Sequence, residues 1–154
     1  MSAGLSAGAF EGPYCHASVV VVGERGLLLL GASGAGKSSL ADRMIAEARA
    51  RGLFAGLVGD DRVALLVCAG RLVASAHPAV AGWIERRGTG IVAIDHLPRA
   101  VISAVVSIEA NPPRFSEESE RFMVIKGVKL PLLRLQADQD LAARAHLALG
   151  LIGV

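Results

Sequence analysis

The chain has 154 residues, of which 53% are hydrophobic, and a formal net charge of +2. This composition gives one domain enough apolar material for a core, while the small and evenly spread charge argues against binding of nucleic acid or of an acidic membrane surface. No apolar run approaches the roughly 20 residues of a membrane span, and the first fifteen residues lack the pattern of a secretory signal. The two cysteines form no C-x-x-C pair and suggest neither zinc nor a disulfide, so we expect a cytoplasmic protein without membrane contact.

The predicted elements are mostly short strands joined by turns. They follow residues 1–13, which are small, glycine-rich and expected to be flexible, and they fall in a single domain over residues 14–154. Residues 111–121, rich in Pro, Ser and Glu, predict an exposed loop. Apolar runs predict strands at 18–22, 27–30, 57–58, Val63–Cys68, 72–76, 100–110 and 127–136, and helical periodicity predicts helices at 39–51 and 138–149. Because hairpins stand where a doubly wound fold has crossover helices, an α/β fold with a mixed, largely antiparallel sheet is favoured over a Ras-like or adenylate-kinase-like sheet.

The stretch LLLLGASGAGKSSL, residues 27–40, contains the complete Walker A pattern G-x-x-x-x-G-K-S between a predicted strand and a predicted helix. Glycines allow such a loop to point successive N–H groups at an anion, and the N-terminal end of the helix adds positive potential. Lys37 can then reach the β- and γ-phosphates, and the Ser38 hydroxyl can bind Mg²⁺. A chance glycine turn is the alternative. The residues expected to bind the nucleotide phosphates are Gly31, Ala32, Ser33, Gly34, Ala35, Gly36, Lys37, Ser38 and Ser39.

Other charged residues could hold the metal or move a proton. Asp60 and Asp61 follow an apolar run, and since adjacent side chains at a strand end point to opposite faces, we expect at most one to face the phosphate; a Gly-Asp-Asp turn is the alternative. The segment IERRGTG offers Glu85 for Mg²⁺ and arginines for phosphate, unless it is only a solvated charged turn. His16 precedes the first strand, where it could reach the rim of the phosphate site. The alternative is a surface histidine without a role in the site.

Taken in order, H-x-x-V, GASGAGKS, GDDRV, IERRGTGI and GVKLP resemble the HPr kinase/phosphorylase family over residues 16–135. Members of this family phosphorylate a serine of the phosphocarrier protein HPr or its relatives, and remove that phosphate by attack of inorganic phosphate. The resemblance implies a phosphoenolpyruvate-carboxykinase-like P-loop fold, the use of ATP and Mg²⁺, an HPr-like or nitrogen-type partner, and assembly into a hexamer. It covers the catalytic domain alone, as in the short form of the family.

The resemblance also implies roles for individual residues. Asp61 matches the family's proton acceptor, and the family's late arginine falls in the 111–121 loop, where Arg114 is the first choice and Arg121 the second. The family's later P-V-R-P-G-R segment, which matters for dephosphorylation, is LLRLQADQD here, so the phosphorylase activity stays open beside the kinase activity. The implied catalytic residues are His16, Lys37, Asp61, Arg87 and Arg114, and the candidate Mg²⁺ ligands are Ser38, Glu85 and Asp60.

Two other functions compete with a serine kinase that regulates the phosphotransferase system. A small-molecule kinase of the same fold would turn over a metabolite without a protein acceptor. A non-catalytic ATP-binding sensor would need neither a base nor an acceptor site, and the presence of Lys37, Ser38, Asp61 and Glu85 together argues against it.

Overall fold

The computed structural model describes residue 10 and residues 12–86, 88–112 and 121–154 of the chain. Within these ranges the chain forms ten strands and two helices. Neither helix is long and apolar enough to span a bilayer. The elements in chain order are β1 (Ala17–Val22), β2 (Arg25–Gly31), α1 (Lys37–Ala50), β3 (Ala55–Gly59), β4 (Val63–Cys68), β5 (Arg71–Ala76), β6 (Trp83–Arg86), β7 (Gly90–Ala93), β8 (Ala100–Glu109), β9 (Phe122–Ile125), β10 (Val128–Gln136) and α2 (Leu141–Leu151).

The main sheet has eight strands, six of them in the order β3-β1-β2-β8-β10-β9. Its centre is parallel, because β2 pairs with β8 and β8 with β10 in the same direction. The other pairs are antiparallel, including β1 with β2, β1 with β3, and the β4–β5 hairpin that joins β8 through β5. The β6–β7 hairpin forms a separate two-stranded sheet. The expectation of a mixed, largely antiparallel α/β sheet is confirmed.

Apolar side chains cover both faces of the main sheet. Helices α1 and α2 pack on one face, where Leu27 and Leu29 of β2 meet Leu40 and Met44 of α1. The β4–β5 hairpin covers the other face, where Leu28 and Leu30 lie. The four consecutive leucines are therefore all buried, as expected for a central parallel strand that is covered on both sides.

The sheet brings three strand ends to one edge. Strand β3 is antiparallel to β1, and β1 is antiparallel to β2, so β3 and β2 run in the same direction. Strand β8 runs parallel to β2. The loop after β2, the turn after β3 and the end of β8 consequently lie at the same edge, where ligand sites of such sheets occur.

Most predicted elements are present, and the differences are local. Helix α1 begins at Lys37 rather than at residue 39, and α2 begins at Leu141, after Asp140, whose side chain accepts a hydrogen bond from the backbone N–H of Ala143. Strands β6, β7 and β9 were not predicted from the sequence. Most of the predicted exposed loop at 111–121 and most of the predicted flexible N-terminus lie outside the described residues.

Candidate active site

The Walker A segment forms a loop between β2 and α1. Gly34 and Gly36 adopt positive φ angles of 81° and 102°, which only glycine adopts without strain. Gly31 is close to the neighbouring strand, since a Cβ atom there would lie 3.2 Å from the carbonyl oxygen of Ile108. Gly36 is the N-cap of α1, and no side chain of the described residues caps this helix end. The N–H groups of its first turn are therefore available to an anion.

Lys37 is held across the loop by backbone oxygens. Its Nζ atom donates to the carbonyl oxygens of Gly31 at 2.8 Å and Ala32 at 3.3 Å, and the residue is only 5% exposed. The same Nζ lies 3.8 Å from Oδ1 of Asp61. The ammonium group thus sits between the start of the loop and the second of the paired aspartates, where it can bind the terminal phosphates of a nucleotide.

Asp60 organises a buried hydrogen-bond network behind the loop. Its Oδ1 accepts from Oγ of Ser18 and from Oγ of Ser38, both at 2.7 Å. Its Oδ2 accepts from Ser38 Oγ at 2.9 Å and from the backbone N–H of Glu85 at 3.2 Å. The network joins β1, α1, the turn after β3 and the β6–β7 hairpin. It therefore fixes the position of the Ser38 hydroxyl and of the segment that carries Glu85.

Ser18 is a member of this network that the sequence analysis missed. It is a fully buried serine in an otherwise apolar strand, and that pattern was the available signal for a polar partner. Its hydroxyl also accepts a 3.3 Å hydrogen bond from the backbone N–H of Asp61. The Ser18 hydroxyl therefore contacts both aspartates: it donates to the Asp60 carboxylate and accepts from the Asp61 backbone N–H.

Asp61 points away from Asp60 because its backbone is left-handed. Its φ angle is 64°, an uncommon conformation that aspartate tolerates better than most residues. The side chain is 61% exposed and lies 3.8 Å from Lys37 Nζ and 3.9 Å from Nδ1 of His16. These distances exceed hydrogen-bonding range, so the carboxylate has free acceptor capacity beside a cation. The strained turn thus presents one carboxylate to the site while the other stays buried.

Two cavities meet at Asp61. The smaller, of about 120 Å³, is lined by Asp61, Glu85 and six loop residues: Ser33, Gly34, Gly36, Lys37, Ser38 and Ser39. The larger, of about 680 Å³, is lined by the start of the loop, by Tyr14, Cys15 and His16, and by the end of β8. Ser33 and Asp61 line both cavities. The site is therefore a narrow compartment beside the Walker A loop that opens, at the carboxylate of Asp61, into a wider space with mostly apolar walls.

The sequence matches the family model of the HPr Serine kinase C-terminal domain over residues 11–106. The chain belongs to this family. Its fold also matches the structure of the Hpr(Ser) kinase/phosphatase from Coxiella burnetii with a TM-score of 0.68 and 22% sequence identity, covering 89% of this chain and 94% of that one. No curated protein sequence matched the chain. The resemblance proposed from the motifs is thus confirmed at the level of family and fold.

The HPr kinase family match covers most of the residues assigned from sequence, and the structure gathers those it describes. His16, Lys37, Ser38, Asp61 and Glu85 line the two cavities, and Asp60 lies directly behind Ser38. Arg87 and Arg114 lie outside the described residues, so their assigned roles stay predictions. The second choice for the late arginine, Arg121, is exposed and lines neither cavity.

The oxygen donors of the site fit a cation shared with phosphate. Among the residues with described positions, no three His, Cys, Asp or Glu side chains gather into a metal site. Ser38 and Glu85 nevertheless line the smaller cavity, and both Asp60 oxygens contact the Ser38 hydroxyl. Oxygen donors of this kind suit Mg²⁺, which usually keeps several waters and binds substrate phosphates through one or two carboxylates.

Cys15 lies in the wall of the larger cavity and is unsuited to act as a nucleophile there. Its backbone pairs with Val63 at the start of β4, which holds the residue in place. Burial raises the pKa of its thiol from 9.0 to about 11, an effect that the positive charge of Lys126 partly offsets. The thiol is therefore protonated at neutral pH, and it contributes packing to the cavity wall.

Proposed function

We propose that this domain is an ATP-dependent serine kinase that acts on an HPr-like phosphocarrier protein or its nitrogen-type homologue. The observation that carries the proposal is the position of Asp61, an exposed carboxylate 3.8 Å from the loop lysine at the junction of the two cavities. A phosphoryl donor in the narrow cavity and a hydroxyl acceptor in the wide one would meet at this residue. The family match supports a kinase of this type.

The donor phosphates would be bound by the loop and by Lys37. The N–H groups at the start of α1 and the ammonium group of Lys37 would neutralise the negative charge of the phosphates. The ammonium group would also stabilise the negative charge that develops on the transferred phosphoryl group and the leaving oxygen. Ser38 and Glu85 would hold Mg²⁺ with Asp60 behind them, and the ion, when bound, supplies further charge neutralisation on the phosphates. The network around Asp60 keeps these groups in place before the substrate arrives.

Asp61 would act as the general base. One of its carboxylate oxygens takes the proton of the acceptor serine hydroxyl as that oxygen attacks the terminal phosphorus and the bond to the nucleoside diphosphate breaks. Lys37 and His16 flank the carboxylate at 3.8 and 3.9 Å and limit where it can lie.

The same arrangement can be run in reverse. When an oxygen of inorganic phosphate attacks the phosphoserine phosphorus, protonated Asp61 returns its proton to the leaving serine oxygen, and pyrophosphate is the product. The resemblance further implies a hexameric assembly, which we include in the proposal and which analytical ultracentrifugation tests.

Transfer from labelled ATP and Mg²⁺ to a purified HPr-family protein tests the proposal. We expect wild-type protein to label a serine of the carrier, and Asp61→Asn to bind Mg²⁺·ADP normally but transfer phosphate about 10²- to 10⁴-fold more slowly. Asp95→Asn is the matched control, because Asp95 is exposed and lines neither cavity. Addition of inorganic phosphate to the labelled carrier then tests the reverse reaction through release of labelled pyrophosphate.

Each negative result has a distinct meaning. If the wild type binds Mg²⁺·ADP but labels no carrier serine, the protein-kinase proposal fails and the small-molecule kinase or the sensor takes its place. If Asp61→Asn transfers phosphate as fast as the wild type, Asp61 is not the base. Transfer without release of pyrophosphate would limit the domain to the kinase direction.

A further inference from the structure

A buried arginine from the C-terminal helix lies against the phosphate loop. Arg144 of α2 is 8% exposed. A Cβ atom on Gly36 would lie 3.2 Å from its Nη1 atom and 3.9 Å from its Nη2 atom. Apart from the two chain neighbours of Gly36, no other heavy atom of the described residues would lie within 4 Å. The guanidinium group therefore covers the loop at the residue directly before Lys37. This contact joins two elements that are far apart in the sequence.

Two nitrogen atoms of the Arg144 guanidinium group have no hydrogen-bond partner among the described residues. These atoms, Nε and Nη1, are buried. Across the described ranges, no Asp or Glu lies within ion-pairing distance of it. A buried cation without hydrogen bonds or a counterion is costly, and an apolar residue of similar volume would stabilise the fold better. Packing alone therefore does not explain an arginine at this position.

The surroundings of Arg144 are already positive. The N-terminal end of α1 points into the same loop, and Lys37 lies at its first position. Arg144 itself lies in the first turn of α2, after the N-cap residue Asp140, where the helix dipole disfavours a cation. The start of α1 and two cationic side chains thus meet at one loop. A phosphate group is the ligand that such an arrangement favours, because it supplies both negative charge and acceptor oxygens.

We propose that Arg144 is a phosphate-binding residue of this site. Its guanidinium group contacts Gly36 but lines neither cavity in this structure, and it would turn towards the bound nucleotide so that phosphate oxygens accept the hydrogen bonds that Nε and Nη1 lack. Binding of the nucleotide would then also hold α2 against the phosphate loop. Residues 11–106, which match the family model, do not include Arg144, so this role comes from the structure and not from the family match. The inference rests on the proposed binding of nucleotide at the Walker A loop.

Calorimetric titration with Mg²⁺·ADP and with pyrophosphate tests the inference. We expect Arg144→Met to weaken the affinity for both ligands about ten-fold or more, because it removes charged hydrogen bonds to phosphate. Arg144→Lys, which keeps the charge without the planar fork, should retain part of the affinity. The control Arg25→Met also removes one positive charge, but at the exposed start of β2, opposite the end that carries the loop, and should bind both ligands as the wild type does.

Thermal unfolding with and without ligand separates a binding role from a structural one. Without ligand, we expect the unfolding temperature of Arg144→Met to be at least that of the wild type. Saturating Mg²⁺·ADP should raise the unfolding temperature of Arg144→Met by less than it raises that of the wild type. In the intact wild type, the Nε–H nuclear magnetic resonance signal of Arg144, identified by its loss in Arg144→Lys, should shift when pyrophosphate is added. This measurement does not depend on the folding of the methionine variant.

The outcomes distinguish the inference from the proposed function. If the wild type binds neither ligand, nucleotide binding itself fails. If the wild type binds both ligands and Arg144→Met binds them equally well, or the Nε–H signal does not move, the role of Arg144 is refuted. Weakened binding of Mg²⁺·ADP alone, with unchanged binding of pyrophosphate, would place Arg144 at the nucleoside and also overturn its assignment to phosphate.

Discussion

Substitutions at the two adjacent aspartates form a matched pair, and we expect them to affect different properties of the protein. Asp60→Asn changes a carboxylate that is 6% exposed and receives hydrogen bonds from Ser18, Ser38 and the backbone of Glu85. Asp61→Asn makes the same chemical change in a side chain that is 61% exposed and has no contact shorter than 3.8 Å to its charged neighbours. We expect the first substitution to reduce stability and the second to reduce only phosphate transfer.

The size of the stability effect follows from the donors around Asp60. An amide has one acceptor oxygen where the carboxylate has two. If that oxygen keeps both serine hydroxyls, the backbone N–H of Glu85 faces an amide N–H₂ group and loses its acceptor. A buried donor without a partner costs about 1–3 kcal/mol. For Asp61→Asn we expect a change within about 0.5 kcal/mol, because the side chain is mostly solvated and asparagine tolerates the left-handed backbone.

Urea unfolding of the two variants and the wild type measures this difference. The midpoint should fall for Asp60→Asn with an unchanged slope, and stay near the wild-type value for Asp61→Asn. Equal stability of the two variants would show that the network around Asp60 does not hold the turn and the β6–β7 hairpin in place. A larger loss for Asp61→Asn than for Asp60→Asn would refute the assignment of the buried and the exposed carboxylate.

Three further predictions follow from single contacts. Ser38→Ala should lose most of the Mg²⁺ dependence of ADP affinity in calorimetry while keeping the fold, since the hydroxyl lines the phosphate cavity; unchanged Mg²⁺ dependence would remove Ser38 from the metal site. Gly26→Ala should cost about 1–3 kcal/mol in urea unfolding, because its Cβ would lie 2.5 Å from the carbonyl oxygen of Val101. The control Gly150→Ala in α2 should gain up to about 1 kcal/mol, because its Cβ would meet no heavy atom of the described residues within 4 Å beyond its own helix backbone and chain neighbours. The raised pKa of the Cys15 thiol favours the folded state below pH 9.0, and this contribution to stability should disappear as the pH rises from 9.0 towards 11. Alkylation at neutral pH should modify the exposed Cys68 before the buried Cys15. Rapid modification of Cys15 in the folded protein would contradict its burial.

The sheet class and the loop between β2 and α1 could be predicted because their signals are local. The Walker A pattern specifies a backbone shape through its glycines, and the leucine run before it identifies a central strand. Asp60 and Asp61 were found as a pair for the same reason. Their division into a buried and an exposed carboxylate depends on the positive φ of Asp61 and on Ser18, which is distant in sequence. The pattern of residue types in the sequence shows neither the backbone conformation of Asp61 nor the contact of Asp60 with Ser18.

The missed elements expose most of their side chains. The β6–β7 hairpin buries only Ile84 deeply, while Trp83 and Ile91 remain exposed, so its sequence shows no alternation of apolar and polar residues. Strand β9 likewise buries only Ile125 among its four residues. Arg144 was overlooked because a charged residue in an amphipathic helix is usually solvated. Its burial accompanies the packing of α2 against α1, an element that is distant in sequence.

The order of the strands has a consequence for how the protein folds. The hairpins β1–β2, β4–β5 and β9–β10 connect neighbours in sequence, whereas the parallel pair β2–β8 joins Leu28 to Val105. Closing such a long loop is slow compared with forming hairpins, so we expect the β2–β8 pairing to limit the folding rate. The phosphate loop and the end of β8 meet only after that step. Phosphate binding should consequently return in refolding experiments with the slowest phase, and its earlier return, detected by rapid mixing with a fluorescent nucleotide, would show that the loop forms without its neighbouring strand.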